Sequence, residues 1–439
     1  MNTSQPSGPD APARPAARKM ETNPYLDGVF APGSEERVLA DLPVQGELPR
    51  DLNGFFLRNG PNPRFEPAGR YHWFDGDAML HAVHFEDGRA TYRNRYIRTD
   101  AFETEAAAGR AVWKGIREPF DPQSASPNKN TANTDLAYHA GRLLAMFWQG
   151  ADPYEVGLPD LETRGVCDFA GTFSGTMTAH PKIDARTGEM MFMNYNVFAE
   201  PWLSYGVVGA DGKLKQHSAI EIPGPRFFHD LAITEYYTIL LYLPLFCHQE
   251  RMKKGKRLAY FDPHTPARFG IVPRHGGNAD IRWFSDDACY ILHVINAFER
   301  ATEDGDEIVM HAGRMENPIP GRRYDPTRGP LLHFLQVQPY LHEWRFNLRT
   351  GAVRRRQMDD RAMEFPRMND DRLGASARFS YAPLLAPERE VIFEGFIKYD
   401  TACDAPQVIR YGEHRCGGEV VFIPRDGADY ISGATAEDA

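Results

Sequence analysis

The sequence predicts an all-β protein, an up-and-down array of strands of the sandwich or propeller kind. Three observations predict it. Tyr, Phe and Trp make up 12% of the 439 residues, a content that favours sheet. Strand-like segments follow one another along the chain: Leu136 to Phe147, Glu189 to Phe198, Lys213 to Ile222, Ala288 to Phe298, Tyr340 to Leu348 and Glu390 to Tyr399. Short turns with glycine join them, at Asp87-Gly88, Asp211-Gly212, Arg186-Thr187-Gly188 and Arg349-Thr350-Gly351, and turns of this kind between apolar alternations read as hairpins. Few segments hold a helical period over three turns, and the strand–turn–strand units continue without a clear linker. No strict repeat motif marks the units, so the pattern does not number the blades of a propeller.

Along the chain, Met1 to Lys19 is rich in Pro, Ala, Ser and Gly and lacks the apolar core of a signal peptide. It reads as a disordered tail, drawn here to residue 22, ahead of a single domain over 23–439. A net charge of −10 argues against a nucleic-acid partner, which calls for a basic face. The five cysteines, Cys167, Cys247, Cys289, Cys403 and Cys416, form no CxxC pair; they fit a reducing, cytoplasmic location without a disulfide framework. The longest apolar run, Ile239 to Phe246, is too short to span a bilayer. There is no GxxxxGK[ST] loop, GxSxG elbow, HExxH or GxGxxG, and the glycines of Gly171 to Gly175 have the wrong spacing for a nucleophile elbow.

Three of the fifteen histidines stand in unusual settings. They are His180 in Thr178-Ala-His-Pro-Lys-Ile-Asp184, His229 in Phe227-Phe-His-Asp-Leu-Ala-Ile-Thr234, and His293 in Leu292-His-Val-Ile-Asn-Ala-Phe-Glu299. A core histidine with one satisfied hydrogen bond is the ordinary explanation for any one of them. Their spacings of 49 and 64 residues are too long for one hairpin or helix. One ligand per supersecondary unit, with the units set around an axis, is what a propeller provides. Imidazole suits Fe, Zn, Cu and Ni alike, so spacing leaves the metal open.

Ordered blocks then give the chain a resemblance. Asp51-Leu-Asn-Gly-Phe-Phe-Leu-Arg-Asn-Gly-Pro-Asn-Pro63, Trp73-Phe-Asp-Gly-Asp-Ala-Met-Leu-His81, Tyr92-Arg-Asn-Arg-Tyr96, the three histidine motifs, Glu364-Phe-Pro-Arg367 and Glu419-Val-Val-Phe-Ile-Pro-Arg425 resemble, in order, the blocks of the carotenoid cleavage oxygenases. The resemblance runs from about Asn23 to the end. It implies a seven-bladed β-propeller with Fe(II) on the axis, held by four histidines of which His180, His229 and His293 are three. Glu364 and Glu419 are implied as carboxylates behind the ligands, where they fix tautomers and supply negative charge. The implied reaction cleaves a carbon–carbon double bond of a small hydrophobic conjugated substrate with O₂, giving two carbonyl products.

Two departures accompany the resemblance. The fourth histidine is expected beyond Glu419, whereas His414 precedes it and the last residue is Ala439. The expectation is therefore a last blade left incomplete, lacking ~40–60 residues, with three ligands at most. Second, where the family has a Glu in the segment Leu144 to Tyr154, this chain has Gln149, which accepts a hydrogen bond but carries no charge.

Lys129 to Thr134 and the stretch from Leu161 to His180 are most similar to the bacterial lignostilbene cleavers. There the resemblance implies Tyr96 and Lys129 as holders of a substrate phenol, the cation favouring phenolate and so enriching the alkene. A core tyrosine and a solvated loop lysine are the plain alternatives. An apocarotenoid substrate has its own feature: the apolar run Ile239 to Phe246, followed by Arg251-Met-Lys-Lys-Gly-Lys-Arg257, allows a peripheral membrane contact. A buried strand followed by a turn explains the same residues. A propeller serving only as an interaction platform, a non-catalytic fragment and non-oxidative isomerase chemistry stay open beside these readings.

Overall fold

The computed structural model describes residues 23–33, 35–116, 118, 129–247, 259–318, 338–386, 392–403 and 405–423. The tail expected over residues 1–22 lies outside them. Among the described residues the strands form six blade-like sheets and one small ribbon.

The first sheet holds β1 (Arg37–Leu39), β2 (Gly54–Pro61), β3 (Ala78–Glu86) and β4 (Arg89–Tyr96) in the order β1-β4-β3-β2. A helix, α1 (Asp100–Ala108), follows. The second sheet runs in chain order through β5 (Asp135–His139), β6 (Arg142–Met146), β7 (Tyr154–Val156) and β8 (Thr163–Val166). The third does the same with β9 (Lys182–Ile183), β10 (Met190–Tyr195), β11 (Leu203–Val208) and β12 (Leu214–Ala219). In the fourth, β13 (Leu231–Ile233) and β14 (Tyr237–Tyr242) are separated from β17 (Ala267–Pro273) and β18 (Arg282–Asp286) by a ribbon of β15 (Leu245–Cys247) and β16 (Ala259–Phe261). The fifth contains β19 (Val294–Arg300), β20 (Glu307–Arg314), β21 (Tyr340–Asn347) and β22 (Val353–Ala362). The sixth has three strands, β23 (Phe379–Leu385), β24 (Phe393–Asp400) and β25 (Gln407–Arg410).

Every sheet is antiparallel throughout. Edge strands meet across the sheets: β2 packs on β5, and β13 packs on both β9 and β19. This is a propeller, with one edge strand of each sheet lining the axis.

Burial follows from that layout. β10 and β11 are buried almost throughout, since sheets cover both of their faces, whereas the outer strand β12 alternates between half-buried and exposed residues. The main core spans the third to fifth blades and includes Tyr205, Phe269, Trp344 and Phe346, each worth roughly 1.5–3 kcal/mol when fully buried.

Six blades replace the seven expected. After β25 the described chain makes a single bridge, Gly417 with Phe393, and forms no further ladder. Gly418 instead lies against the guanidinium of Arg58 in β2, so this stretch crosses from the sixth blade to the first as a strap. Other expectations change locally. Leu136 to Phe147 is a hairpin, folded at Ala140-Gly141, where both residues have positive φ. The run Ile239 to Phe246 contributes the buried strand β14 and part of β15, while the basic run 251–257 lies outside the described residues. All five cysteines are free, and no described helix is long and apolar enough to cross a membrane.

Candidate metal centre

Each of the three histidines stands just ahead of the innermost strand of its blade: His180 before β9, His229 before β13 and His293 before β19. The next residues enter the ladder, so each imidazole is delivered at the axial end of its sheet. The backbone holds these positions firmly. Ala179 N–H donates to Phe147 O at 3.0 Å, and Thr178 donates to Met193 O through both N–H and hydroxyl. Asp230, beside His229, accepts Leu231 N–H and Val294 N–H, each at 2.8 Å, and pairs with Lys182 Nζ at 2.6 Å. One carboxylate thus links the third, fourth and fifth blades beneath the histidines.

The three rings converge. Their centroids are 4.7–4.9 Å apart, and one nitrogen from each lies within 4.8 Å of the others. His293 Nδ1 is 2.5 Å from Glu364 Oε2, and His180 Nδ1 is 3.0 Å from Asp135 Oδ2. Each carboxylate takes the Nδ1–H, which fixes the tautomer and leaves Nε2 with a free lone pair. His180 Nε2 is buried and has no hydrogen-bond partner. His229 Nε2 faces His293 Nε2 at 3.1 Å. Two imidazole nitrogens at about 2.1 Å from one ion, set at a right angle, are about 3 Å apart. The donor set therefore fits a transition-metal ion: three imidazoles with convergent inner nitrogens and carboxylates behind two of them.

Burial pushes the His229 imidazole well below its ordinary pKa, and His180 and His293 add to the shift, so the ring stays neutral. Burial also lowers His293, but Glu364 outweighs it and the net shift is upward. Burial alone would raise the Asp135 carboxyl; His180, Arg367 and the Leu136 N–H together hold it well below the usual carboxylate range.

The other expected residues are placed as follows. Glu364 Oε2 lies against His293 Nδ1 at 2.5 Å. Glu419 is half-exposed and pairs with Arg367 at 3.2 Å, with its charge felt at His293. Gln149 is buried next to Trp148. Tyr96 is buried, accepts a hydrogen bond from Asn62 Nδ2 at 2.6 Å and donates to Gly33 O at 3.4 Å. Burial and the charge of Asp77 push its phenol up to about 12. Lys129 is 2.6 Å from Asp77 Oδ1 and 2.7 Å from Glu105 Oε2, with all three side chains at most 10% exposed.

Two features were absent from the sequence reading. Asp135 opens β5 with the look of an ordinary strand-start residue, and its partner lies 45 positions away. Aromatic faces gather near the centre: Trp148 lies between Phe74 at 5.1 Å and Phe227 at 6.2 Å, and Phe365 lies against the His293 ring at 4.9 Å.

A family model described as retinal pigment epithelial membrane protein matches residues 30–439. The chain is 36% identical to carotenoid 9,10(9',10')-cleavage dioxygenase 1 of Arabidopsis thaliana, over 93% of this chain and 81% of that protein. It is 32% identical to isoeugenol monooxygenase of Pseudomonas putida, over 84% and 77% respectively. The crystal structure of Pseudomonas brassicacearum lignostilbene dioxygenase superposes with a TM-score of 0.81 at 30% identity, covering 92% of this chain and 87% of that one.

Proposed function

We propose, because the chain belongs to the retinal pigment epithelial membrane protein family, which includes the carotenoid cleavage oxygenases, that it cleaves a conjugated carbon–carbon double bond with O₂ to give two carbonyl products. The observation that carries this reading is the convergence of His180, His229 and His293, one from each of three consecutive blades. These residues would hold Fe(II). The ion, when bound, supplies the activation of O₂ that an organic substrate lacks.

The chain's own residues do the rest. Asp135 and Glu364 accept the outer ring N–H groups of His180 and His293, which turns the inner nitrogens toward the shared centre. Glu419 adds negative charge near His293. Gln149 fills its position without charge. The faces of Phe74, Trp148, Phe227 and Phe365 suit a flat conjugated substrate, a stilbenoid or an apocarotenoid. Tyr96 and Lys129 enter the proposal as the phenol-binding pair, under a geometric condition: a phenol reaching Lys129 must displace Asp77 or Glu105. Tyr96, with its raised pKa, acts there as a neutral hydrogen-bond partner.

The test is anaerobic reconstitution with Fe(II), followed by 4-hydroxystilbene or an apocarotenal in air. We expect near-stoichiometric iron, loss of it in His229→Ala, and aldehyde from one of the two substrates. Iron binding without any aldehyde would refute the oxygenase reading. Absence of iron would favour a platform or a non-catalytic chain.

A further inference from the structure

Each backed imidazole takes its carboxylate from the neighbouring blade. Glu364, on the approach to the sixth blade, serves His293 of the fifth. Asp135, the first residue of the second blade, serves His180 of the third, although no sequence block pointed to it. One oxygen of Asp135, Oδ2, meets both the His180 ring at 3.0 Å and the His180 backbone N–H at 3.1 Å. Its other oxygen accepts Leu136 N–H at 2.8 Å, anchoring the carboxylate to β5. His180 has φ +65°, a left-handed backbone conformation uncommon outside glycine. A residue in that conformation needs outside support, and Asp135 holds it at backbone and ring together.

We propose that Asp135 is a positioning residue of the metal centre: it fixes the tautomer and direction of His180 and supplies negative charge behind that ring. The proposal rests on the metal-binding reading above and deepens it. A simple structural role for Asp135, limited to the turn into β5, would need only the Leu136 N–H contact. Asn at this position preserves that contact through Oδ1 but removes the charge and the obligate acceptor facing the imidazole. Removing a group behind a metal-ligating histidine typically costs 10–100-fold in metal affinity.

The experiment uses the full chain and Co(II), whose visible absorption reports ligand number and geometry. Asp135→Asn is expected to keep the fold by circular dichroism, to bind Co(II) roughly 10–100-fold more weakly, and to show an altered visible spectrum. Should Asp135→Asn fail to fold, Asp135→Ser carries the test: it keeps a short oxygen at the start of β5 and removes the carboxylate from His180, so weaker Co(II) binding with an altered spectrum supports the proposal and unchanged binding overturns it. An Asp135→Asn protein with wild-type affinity and spectrum also overturns it, leaving the metal reading intact provided His229→Ala abolishes Co(II) binding. If wild type binds no Co(II), both readings fall together.

Discussion

Lys129 shows how a single residue changes meaning once its neighbours are known. By sequence it is a loop lysine suited to a phenolate; in the fold its ammonium lies between Asp77 of the segment entering β3 and Glu105 of α1. Two buried carboxylates already balance its charge, and Glu105 accepts the Val112 and Trp113 N–H groups as well. Truncation to Lys129→Met would leave both carboxylates buried without their cation, a loss on the order of 3–5 kcal/mol. Urea unfolding of the metal-free protein should therefore show a large drop in stability at neutral pH. A role confined to substrate would leave stability unchanged and raise KM alone. At this scale the three histidines that converge were legible in the sequence, because each stands in an ordered block and two of them, His229 and His293, lie inside apolar strand-like runs. Asp135 was not legible, since nothing near it in the chain signals a contact with His180.

Hairpins were the most readable elements. Asp87-Gly88 joins β3 to β4 with both residues at positive φ, the conformation a two-residue turn requires and the one that Asp-Gly favours. The helix α1 escaped notice because its nine residues fall short of three turns, although Thr99 caps it by accepting Phe102 N–H at 3.1 Å and Gly109 closes it at φ +65°. Within strands, one close approach shapes the third blade. Gly206 of β11 pairs with Phe192 of β10, and the fully buried Phe192 ring lies over the space a Cβ would occupy. Gly206→Ala must push that ring into packed core, a cost of about 1–3 kcal/mol. Thermal unfolding should register a lower midpoint, and Phe192→Leu in the same background should recover part of it by vacating the space. A midpoint equal to wild type would mean that the blade yields more easily than its packing indicates.

What joins blades into one molecule is less visible in sequence, because the contacts cross long separations. Blade number was not legible for the same reason: repeated strand and turn patterns fix local pairing, and the described chain closes toward the first blade with a strap in place of a seventh sheet. Asp184 illustrates the joints. It follows β9 in the third blade and is 1% exposed; it accepts Arg274 Nη1 at 2.6 Å from the turn after β17 in the fourth. Arg274 in turn donates from Nε to Thr234 O at 2.8 Å, and Arg186 completes the pairing of Asp184 at 3.1 Å. Burial alone would raise the Asp184 carboxyl, but the two arginines outweigh it and the net shift is downward. A carboxyl whose folded pKa lies below its unfolded value contributes stability that is fully present above the unfolded value, about 3.9, and is lost as pH falls through the folded value. The metal-free protein should thus lose stability on acidification below about pH 4. Asp184→Asn, which strands the buried Arg274, should cost on the order of 3 kcal/mol at pH 7. The gap between wild type and variant should then narrow as the pH drops, because acid removes from the wild type the same charge that the substitution removes. Denaturation curves of both proteins from pH 7 to pH 3 measure that gap directly, and a gap that stays constant across the range would place the stabilising interaction somewhere other than this inter-blade ion pair.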